Sequence, residues 1–441
     1  MLLQNISLDP DLKIAIQVHP HDIRDEGAET VVRNIVERSS IRTIIAETGT
    51  LEERHPYPRG ELTHNPVHKV LTTDASFEIP HSQEWFASLP FRPVLSPQAN
   101  RGEDYISDLR AIAPRYGANV VPWVKALNAS FTGEVKHACV YTFSGKPIPT
   151  WLCPNNPFTE TYVLNLLFGI LEKYPSRAIL MDRLRYPDWS GATVSIERML
   201  TCFCPYCQEQ MKAAGIDVEL LCSLLKAFFE DPQVLSGWME RRGLQFEVLH
   251  AWFIFRNDSI TNLAKKIREE MQVWLKERDV ETEYWLNLWP PSFAPLLGQD
   301  YKALGPLCQG AKHFPYHKLG GGADLAAFVR ALSGESAGEE KRVFKELTSL
   351  LKLGTLTFEE YLTTGLPISF VAEQTQWGKD AFGDNRIFTG IQIWDIAEEE
   401  IEDTIWAAFD GKADGLFFYC YGWATLSALD RVGEILNSLR R

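Results

Sequence analysis

The chain has 441 residues, of which 45% are hydrophobic and 12% aromatic, and its formal net charge is -14. An acidic surface repels nucleic-acid phosphates and anionic lipids, so neither a nucleic acid nor a membrane is expected as a partner. No apolar run approaches the ~20 residues of a spanning helix, and the N-terminus has no signal-peptide pattern. The 8 cysteines of so long a chain are typical of reduced thiols, so we expect a cytoplasmic protein.

Strand-like and helix-like stretches alternate along almost the whole chain, which is typical of βαβ units and a parallel sheet. The predicted strands span residues 13–18, 43–46, 119–127, 178–181, 283–288, 311–316, 387–394 and 415–420. The predicted helices span residues 28–38, 104–116, 158–174, 252–278, 296–304, 323–353, 398–409 and 426–439. This order predicts an α/β fold, a (β/α)8 TIM barrel, with residues 1–441 forming one domain. Long loops at 50–101, 128–156 and 188–243 should decorate its C-terminal face, the last as a cysteine-bearing helical insertion.

The stretch that best indicates chemistry follows the fourth predicted strand. Its apolar run stops at Asp182, and Arg183 and Arg185 come directly afterwards. Carboxylates at the C-terminal end of a barrel strand lie where such folds place their active sites, and nearby guanidinium groups keep a carboxylate ionised. The alternative interpretation is a structural ion pair between Asp182 and the arginines.

Carboxylates and aromatic residues also occur at the other predicted strand exits. Together they favour a carbohydrate site, because a carboxylate pair can cleave a glycosidic bond while flat rings stack on a sugar. We predict Asp182 as the ionised carboxylate and Asp395 as its acid partner, with Glu47 in reserve. Asp395 has a second interpretation, as the N-cap of the helix near Glu398. The residues expected to bind the sugar are His19, His21, Trp123, Arg185, Trp289, His313, Tyr316, His317, Trp394, Tyr419 and Trp423.

Cysteines are concentrated in a C-x-C-x-x-C motif formed by Cys202, Cys204 and Cys207. Thiolates brought together by short turns suit a structural Zn²⁺, for which Cys153 is the predicted fourth ligand and Cys222 the second choice. A site closed by four thiolates has no open position and does no catalysis. No further cofactor is expected, because the glycines at 320–322 lack the spacing of a phosphate-binding loop.

The segment Asp182-Arg183-Leu184-Arg185-Tyr186-Pro187 resembles the D-x-x-R-Y-P segment of glycoside-hydrolase-like barrel proteins. The cysteine motif is similar to the zinc-carrying loop of β-galactosidases of glycoside hydrolase family forty-two. The likeness implies a barrel glycosidase with Asp182 at the nucleophile position of α-amylase-type enzymes. It also departs from family forty-two, which has glutamates at exits four and seven, so substrate and stereochemistry are not implied.

Two alternatives remain open from the sequence. The first is a barrel that binds sugar without cleaving it. The second is a metal-dependent amidohydrolase, because His19-Pro20-His21 resembles the H-x-H of that barrel class. That class would place a histidine on strand five and an aspartate on strand eight, where this chain has Asn287 and Tyr419-Cys420-Tyr421.

Overall fold

The structure is a computed structural model. It describes residues 13–54, 61–70, 72–133, 135–189, 194–231, 234–319, 324–334 and 337–439. The glycines at 320–322 and the first twelve residues lie outside this range, and so do the predictions made for them.

Eight parallel strands form a closed barrel, which confirms the predicted fold. We label them β1 to β8 in chain order: Lys13–Val18, Thr43–Glu47, Asn119–Lys125, Ala178–Asp182, Glu283–Leu288, Gly310–His313, Arg386–Gln392 and Gly415–Tyr419. Each strand pairs with its neighbours in sequence, and β8 closes the barrel on β1, with Lys13 opposite Gly415. The predictions for β1 and β5 match to the residue, while β6 ends three residues and β7 two residues before the predicted ends.

The helices pack around the barrel and in the loops that follow its strands. They span Pro20–Glu26, Ala28–Arg33, Pro97–Asn100, Tyr105–Ile112, Pro157–Lys173, Ile196–Met199, Pro205–Ala213, Val218–Glu230, Val234–Arg241, Leu244–Glu277, Tyr301–Leu304, Ala326–Ser333, Ala337–Leu350, Phe358–Thr364, Ser369–Phe382, Glu398–Asp410 and Leu426–Leu439. Single turns of other helix types span Asn34–Arg38, Ser82–Phe86, Ala113–Tyr116, Ala294–Leu297 and Gly305–Leu307. The predicted helix 323–353 was wrong as one element, since two helices occupy it. No helix among the described residues is long and apolar enough to cross a membrane.

The long loops carry small hairpins of their own. Gly49–Thr50 pairs with Ser76–Phe77, Glu53–Arg54 with Thr72–Thr73, and Cys139–Tyr141 with Pro147–Leu152. The last hairpin leads directly to Cys153 and to the helix Pro157–Lys173, whose N-cap is Asn156. The cysteine motif between β4 and β5 follows the short helix Ile196–Met199, and its last cysteine, Cys207, lies in the first turn of the helix Pro205–Ala213.

The inside of the barrel is filled by alternate residues of the strands. One buried cluster contains Ala15, Ile45, Val121, Trp123, Ala178, Leu180, Trp285, Phe388 and Phe417. Because side chains of a strand alternate between its two faces, residues two positions further along each strand also point inward. This alternation identifies the last residue of each strand that points into the barrel. In most strands that residue is polar.

Candidate active site at the barrel mouth

A ring of polar side chains lies at the C-terminal end of the barrel interior. Its members point into the barrel from the same face of their strands as the interior cluster, and most are at most 5% exposed. They are Gln17, Glu47, Lys125, Asp182, Asn287, Lys312, Gln392 and the partly buried Tyr419. We call this set the mouth ring. Buried polar groups are costly unless they have partners, so their convergence indicates a binding site and not a structural core.

Asp182 is the best-supported carboxylate of the mouth ring. Its Oδ1 accepts from the Arg183 backbone amide at 2.7 Å and from Arg185 Nη1 at 3.0 Å, and its Oδ2 accepts from Trp123 Nε1 at 3.1 Å. Burial alone would raise the pKa of this carboxyl, but Arg185 and Arg183 hold the pKa below its ordinary value. Asp182 is therefore ionised at neutral pH, as predicted from its arginines. Asp188 binds both arginines from the other side, with Arg185 Nε at 2.8 Å.

Glu47 and Lys125 form a second charged pair in the mouth ring. Lys125 Nζ donates to Glu47 Oε1 and, at 2.7 Å, to the Gly49 carbonyl. Lys125 lies opposite Asp182 in the strand register, so it stands between the two carboxylates. Glu47 Oε2 is buried and has no hydrogen-bond partner among the described residues. Glu47 thus lies in the same mouth as Asp182, with one oxygen available to a ligand.

Aromatic side chains on or just after β1, β3, β6, β7 and β8 form one connected cluster at the barrel mouth. Tyr419 is near its centre, with ring centroids 5.3 Å from Trp394, 5.9 Å from Tyr316 and 6.2 Å from Trp423. The histidines join on one side, since His19 lies 5.0 Å from Trp423. The cluster brings together these predicted sugar-binding residues: His19, His21, Trp123, Tyr316, Trp394, Tyr419 and Trp423.

Asp395 is not part of the mouth. Strand β7 ends at Gln392, and Asp395 lies exposed in the following turn with a left-handed φ of 48°. The prediction of Asp395 as the acid partner relied on a strand that reaches residue 394, whereas the strand ends two residues earlier and leaves Asp395 exposed. The N-cap interpretation was also wrong, since the helix Glu398–Asp410 has Ala397 at its N-cap and no side-chain cap there.

Of three other predicted sugar-binding residues, the two histidines pack outside the cluster, whereas Trp289 adjoins it through Phe314, whose ring lies 5.7 Å from that of Tyr316. His313 has outward parity, and its Nε2 lies 3.3 Å from both Thr389 and Thr375, between the barrel and a helix. Burial lowers the pKa of His313 to about 3, so it is a neutral core residue. His317 meets a different loop, where its carbonyl accepts from the Leu366 amide at 2.7 Å. Trp289 is packed by the rings Trp189, Phe293 and Phe314.

Lys312 is a mouth residue that the sequence interpretation missed. It precedes His313 on β6 and has the opposite parity, so it points inward where His313 points outward. The same reasoning applies to Gln17, Asn287 and Gln392. Each of these residues is the last inward-facing residue of its strand. The sequence would have identified them only if the strand ends had been predicted to the residue.

The four predicted zinc ligands lie together. One sulfur each from Cys153, Cys202, Cys204 and Cys207 falls within 4.8 Å of the others, and Cys153 Sγ lies 3.4 Å from Cys207 Sγ and 3.5 Å from Cys204 Sγ. These distances exclude disulfides within the group, and none of the 8 cysteines forms a disulfide. Cys222, the second choice, lies apart with its sulfur 4.0 Å from the Phe143 carbonyl.

The cysteine cluster fits a tetrahedral metal ion. Zn–S bonds of ~2.3 Å place thiolates about 3.8 Å apart, close to the observed spacings. Amide groups point at the sulfurs, as expected around metal-bound thiolates: Tyr141 N and Cys204 N lie 3.4 Å from Cys202 Sγ, and Asn155 Nδ2 lies 3.3 Å from Cys207 Sγ.

His19, His21 and Asp22 form a second group whose ligand atoms lie within 4.8 Å of one another. The His19 amide donates to Asp22 Oδ2 at 2.8 Å, and His21 Nε2 lies 3.2 Å from Asp22 Oδ1. Burial lowers the pKa of His19 to about 3, and neighbouring His21 adds to this effect. His19 is thus neutral, which is the form that binds metals or accepts hydrogen bonds.

A surface cleft of about 560 Å³ lies away from the mouth. It is lined by side chains from the first helices and from the segment after residue 97, including Arg24, Glu29, Gln98, Arg101 and Asp108. None of the mouth ring lines this cleft. We place the candidate chemistry at the mouth, because that is where buried carboxylates and amines converge.

Comparisons with known proteins give the fold a context. No protein-family model and no curated protein matches the sequence. Among solved structures, the catalytic domain of β-amylase from Paenibacillus polymyxa is similar over 98% of this chain and 100% of its own, with 10% identity and a TM-score of 0.52. The likeness is one of fold. The Ostrinia furnacalis Group IV chitinase covers 98% of this chain and 100% of its own, with 8% identity and a TM-score of 0.44. A putative chitinase domain from Desulfitobacterium hafniense DCB-2 covers 98% and 99%, with 9% identity and a TM-score of 0.43.

Proposed function

We propose that this chain is a cytoplasmic glycoside hydrolase that cleaves an oligosaccharide or small glycoside at the barrel mouth. The observation that carries the proposal is Asp182, a buried and ionised carboxylate that accepts a hydrogen bond from Trp123, one of a connected group of aromatic rings at the mouth. Rings of this kind stack on sugars, and an anion beside them stabilises the positive charge that develops on a sugar during glycosidic cleavage. The fold shared with a β-amylase domain is compatible with this activity.

In this proposal Asp182 acts as nucleophile or electrostatic partner, and Arg185 orients it. The partner group must supply a proton to the leaving oxygen. Glu47 now takes this role in place of Asp395, because Glu47 is in the mouth and burial lowers the pKa of its partner Lys125 well below the ordinary value, so the pair need not keep Glu47 ionised. Its Oε2 has no hydrogen-bond partner among the described residues, and this oxygen would carry the proton that is passed to the leaving group.

The test is a panel of aryl glycosides and natural oligosaccharides assayed with wild type and Asp182→Asn. We expect the substitution to lower kcat by orders of magnitude while the fold survives. Asp188→Asn is the matched control, because it removes a buried carboxylate from the same arginines outside the mouth ring. Undiminished activity in Asp182→Asn refutes the proposal. Sugar binding without turnover in wild type supports the alternative of a non-catalytic sugar-binding barrel.

We also propose that Cys153, Cys202, Cys204 and Cys207 hold one structural Zn²⁺. Four thiolates complete a tetrahedral shell, so the ion would tie the hairpin at Pro147–Leu152 to the loop before the helix Pro205–Ala213 and take no part in the reaction. Metal analysis of protein purified without chelator should give about one zinc per chain. Cys202→Ser should lose the metal, whereas the matched change Cys222→Ser should keep it. Near-zero zinc in wild type rejects this site.

A metal-dependent hydrolase remains the second candidate, favoured by the group of His19, His21 and Asp22. These residues would supply two imidazoles and a carboxylate, a ligand set typical of divalent transition metals. The same metal analysis on Cys202→Ser distinguishes the two sites. Metal that persists in this variant and disappears in His19→Ala supports the second candidate, and its absence removes it.

A further inference from the structure

Lys312 is an amine at the centre of the barrel mouth. It lies opposite Asn287 of β5 and Phe388 of β7 in the strand register, and Phe388 belongs to the interior cluster. Its side chain is only 2% exposed. Its Nζ therefore ends among the mouth ring, 5.5 Å from the centre of the Tyr419 ring.

The partners of Lys312 are neutral. Its Nζ donates to Gln17 Oε1 and to Tyr316 Oη, each at 3.0 Å. No carboxylate oxygen of the described residues lies within 4.0 Å of this amine, whereas the other mouth lysine, Lys125, contacts the Glu47 carboxylate. A buried ammonium group without a counter-ion is costly, so the environment favours the neutral amine.

Charged groups at longer range do not reverse this preference. Burial lowers the pKa of Lys312 to about 7, Asp182 opposes the change, and Arg185 adds to it. A neutral amine on a desolvated lysine is the form that attacks carbonyl carbons. About half of the molecules would carry that form at neutral pH, against roughly one in a thousand for an ordinary lysine.

We propose that Lys312 forms an imine with the carbonyl group of an open-chain aldehyde or ketone, such as the reducing end of a sugar, held in the barrel mouth. This activity goes beyond glycosidic cleavage and requires no glycosidic bond. The amine could not serve this purpose if a carboxylate in direct contact held it as an ammonium ion.

The step balances without a further reagent. The lone pair of Nζ forms a bond to the carbonyl carbon, and the electron pair of the broken π bond moves to oxygen. A proton passes from nitrogen to that oxygen, giving a carbinolamine. The nitrogen lone pair then forms the C=N bond as the C–O bond breaks, and the oxygen leaves as water with the second proton of the original amine.

Neighbouring groups are placed to assist this step. Tyr316 Oη lies 3.0 Å from Nζ, and burial raises the pKa of Tyr316 well above its ordinary value, so its hydroxyl keeps a proton. It can relay protons between nitrogen and oxygen. Gln17 Nε2 and Asn287 Oδ1 are buried and have no hydrogen-bond partner among the described residues, as expected of groups that await a ligand.

The experiment is reductive trapping on the native wild-type protein. Glycolaldehyde and sodium cyanoborohydride are added at pH 7, and peptide mass spectrometry measures the labelling rate of each lysine. The reagent converts an imine into a stable secondary amine. Because a less basic amine is also less nucleophilic, we expect Lys312 to label about tenfold or more faster than exposed lysines, not the full thousandfold of its neutral fraction.

Lys345, at an exposed position, is the internal control for an ordinary lysine. We expect it to label at least tenfold more slowly than Lys312, on the neutral-fraction argument. The rate at Lys312 should rise to a plateau with a midpoint near pH 7, and Tyr316→Phe should lower that plateau. The groups that face the amine and set this midpoint are Gln17, Asp182, Arg185, Tyr316, Tyr419 and Cys420.

Labelling of Lys312 no faster than that of exposed lysines, Lys345 among them, overturns the proposal. The readout uses no glycoside, so failure here is distinct from failure of the proposed hydrolase activity. Lys312→Met shows which labelled peptide contains Lys312. The fast-labelling peptide must disappear from this variant while the other labelled peptides remain.

Discussion

Replacement of Lys312 by methionine removes the cost of burying a charged amine, and the size of that cost depends on pH. The folded state lowers the pKa of Lys312 from 10.5 to about 7, which corresponds to about 5 kcal/mol of destabilisation when both states are protonated. The unfolded chain binds more protons between pH 7 and pH 10.5, so this cost shrinks as the pH rises through that window. It is almost fully present at pH 6 and falls to about 2 kcal/mol at pH 9.

The hydrogen bonds that Lys312 makes to Gln17 and Tyr316 are lost in the variant at both pH values, so their contribution cancels in the comparison. The free energy of unfolding of Lys312→Met minus that of wild type should therefore fall by roughly 3 kcal/mol from pH 6 to pH 9. Reversible urea unfolding measures this difference. The matched change Lys345→Met, at an exposed position, should show no such trend. A difference for Lys312→Met that is the same at both pH values would refute the reasoning.

Three further outcomes follow from the structure. Asp182→Asn should be less stable than wild type at neutral pH, because the folded state lowers the pKa of Asp182. The difference in free energy of unfolding should shrink as the pH falls below the ordinary carboxyl pKa of ~3.9, and urea unfolding at pH 7 and pH 3 checks this. Removal of metal with a strong chelator should lower the Tm of wild type but leave the Tm of Cys202→Ser unchanged, and an equal shift in both would reject the cysteine site. Gly433→Ala should lower the free energy of unfolding by ~2 kcal/mol or more, because a Cβ there would meet the Arg38 carbonyl at 1.9 Å, whereas Gly338→Ala, with open space around it, should not.

The local pattern of the chain was enough to predict the barrel. A parallel strand buried on both faces is a largely apolar run, and most of the eight strands contain such a run, with helices between them. A polar side chain at the end of such a run marks where the strand emerges, which is how Asp182 and Glu47 were found. Short sequence spacing likewise predicted that Cys202, Cys204 and Cys207 would converge, since few backbone conformations separate them.

Only the tertiary structure decided where each strand ends and which of its residues point into the barrel. The side-chain period of a strand is two residues, so a shift of one position exchanges the faces. This is why His313 packs behind the barrel while Lys312 enters the mouth, and why Asp395, beyond the end of β7, is left in solvent. Barrel closure then places Gln17 of β1 beside Lys312 of β6, nearly three hundred residues apart in sequence. No local pattern encodes that contact, because it depends on how all eight strands pair at once.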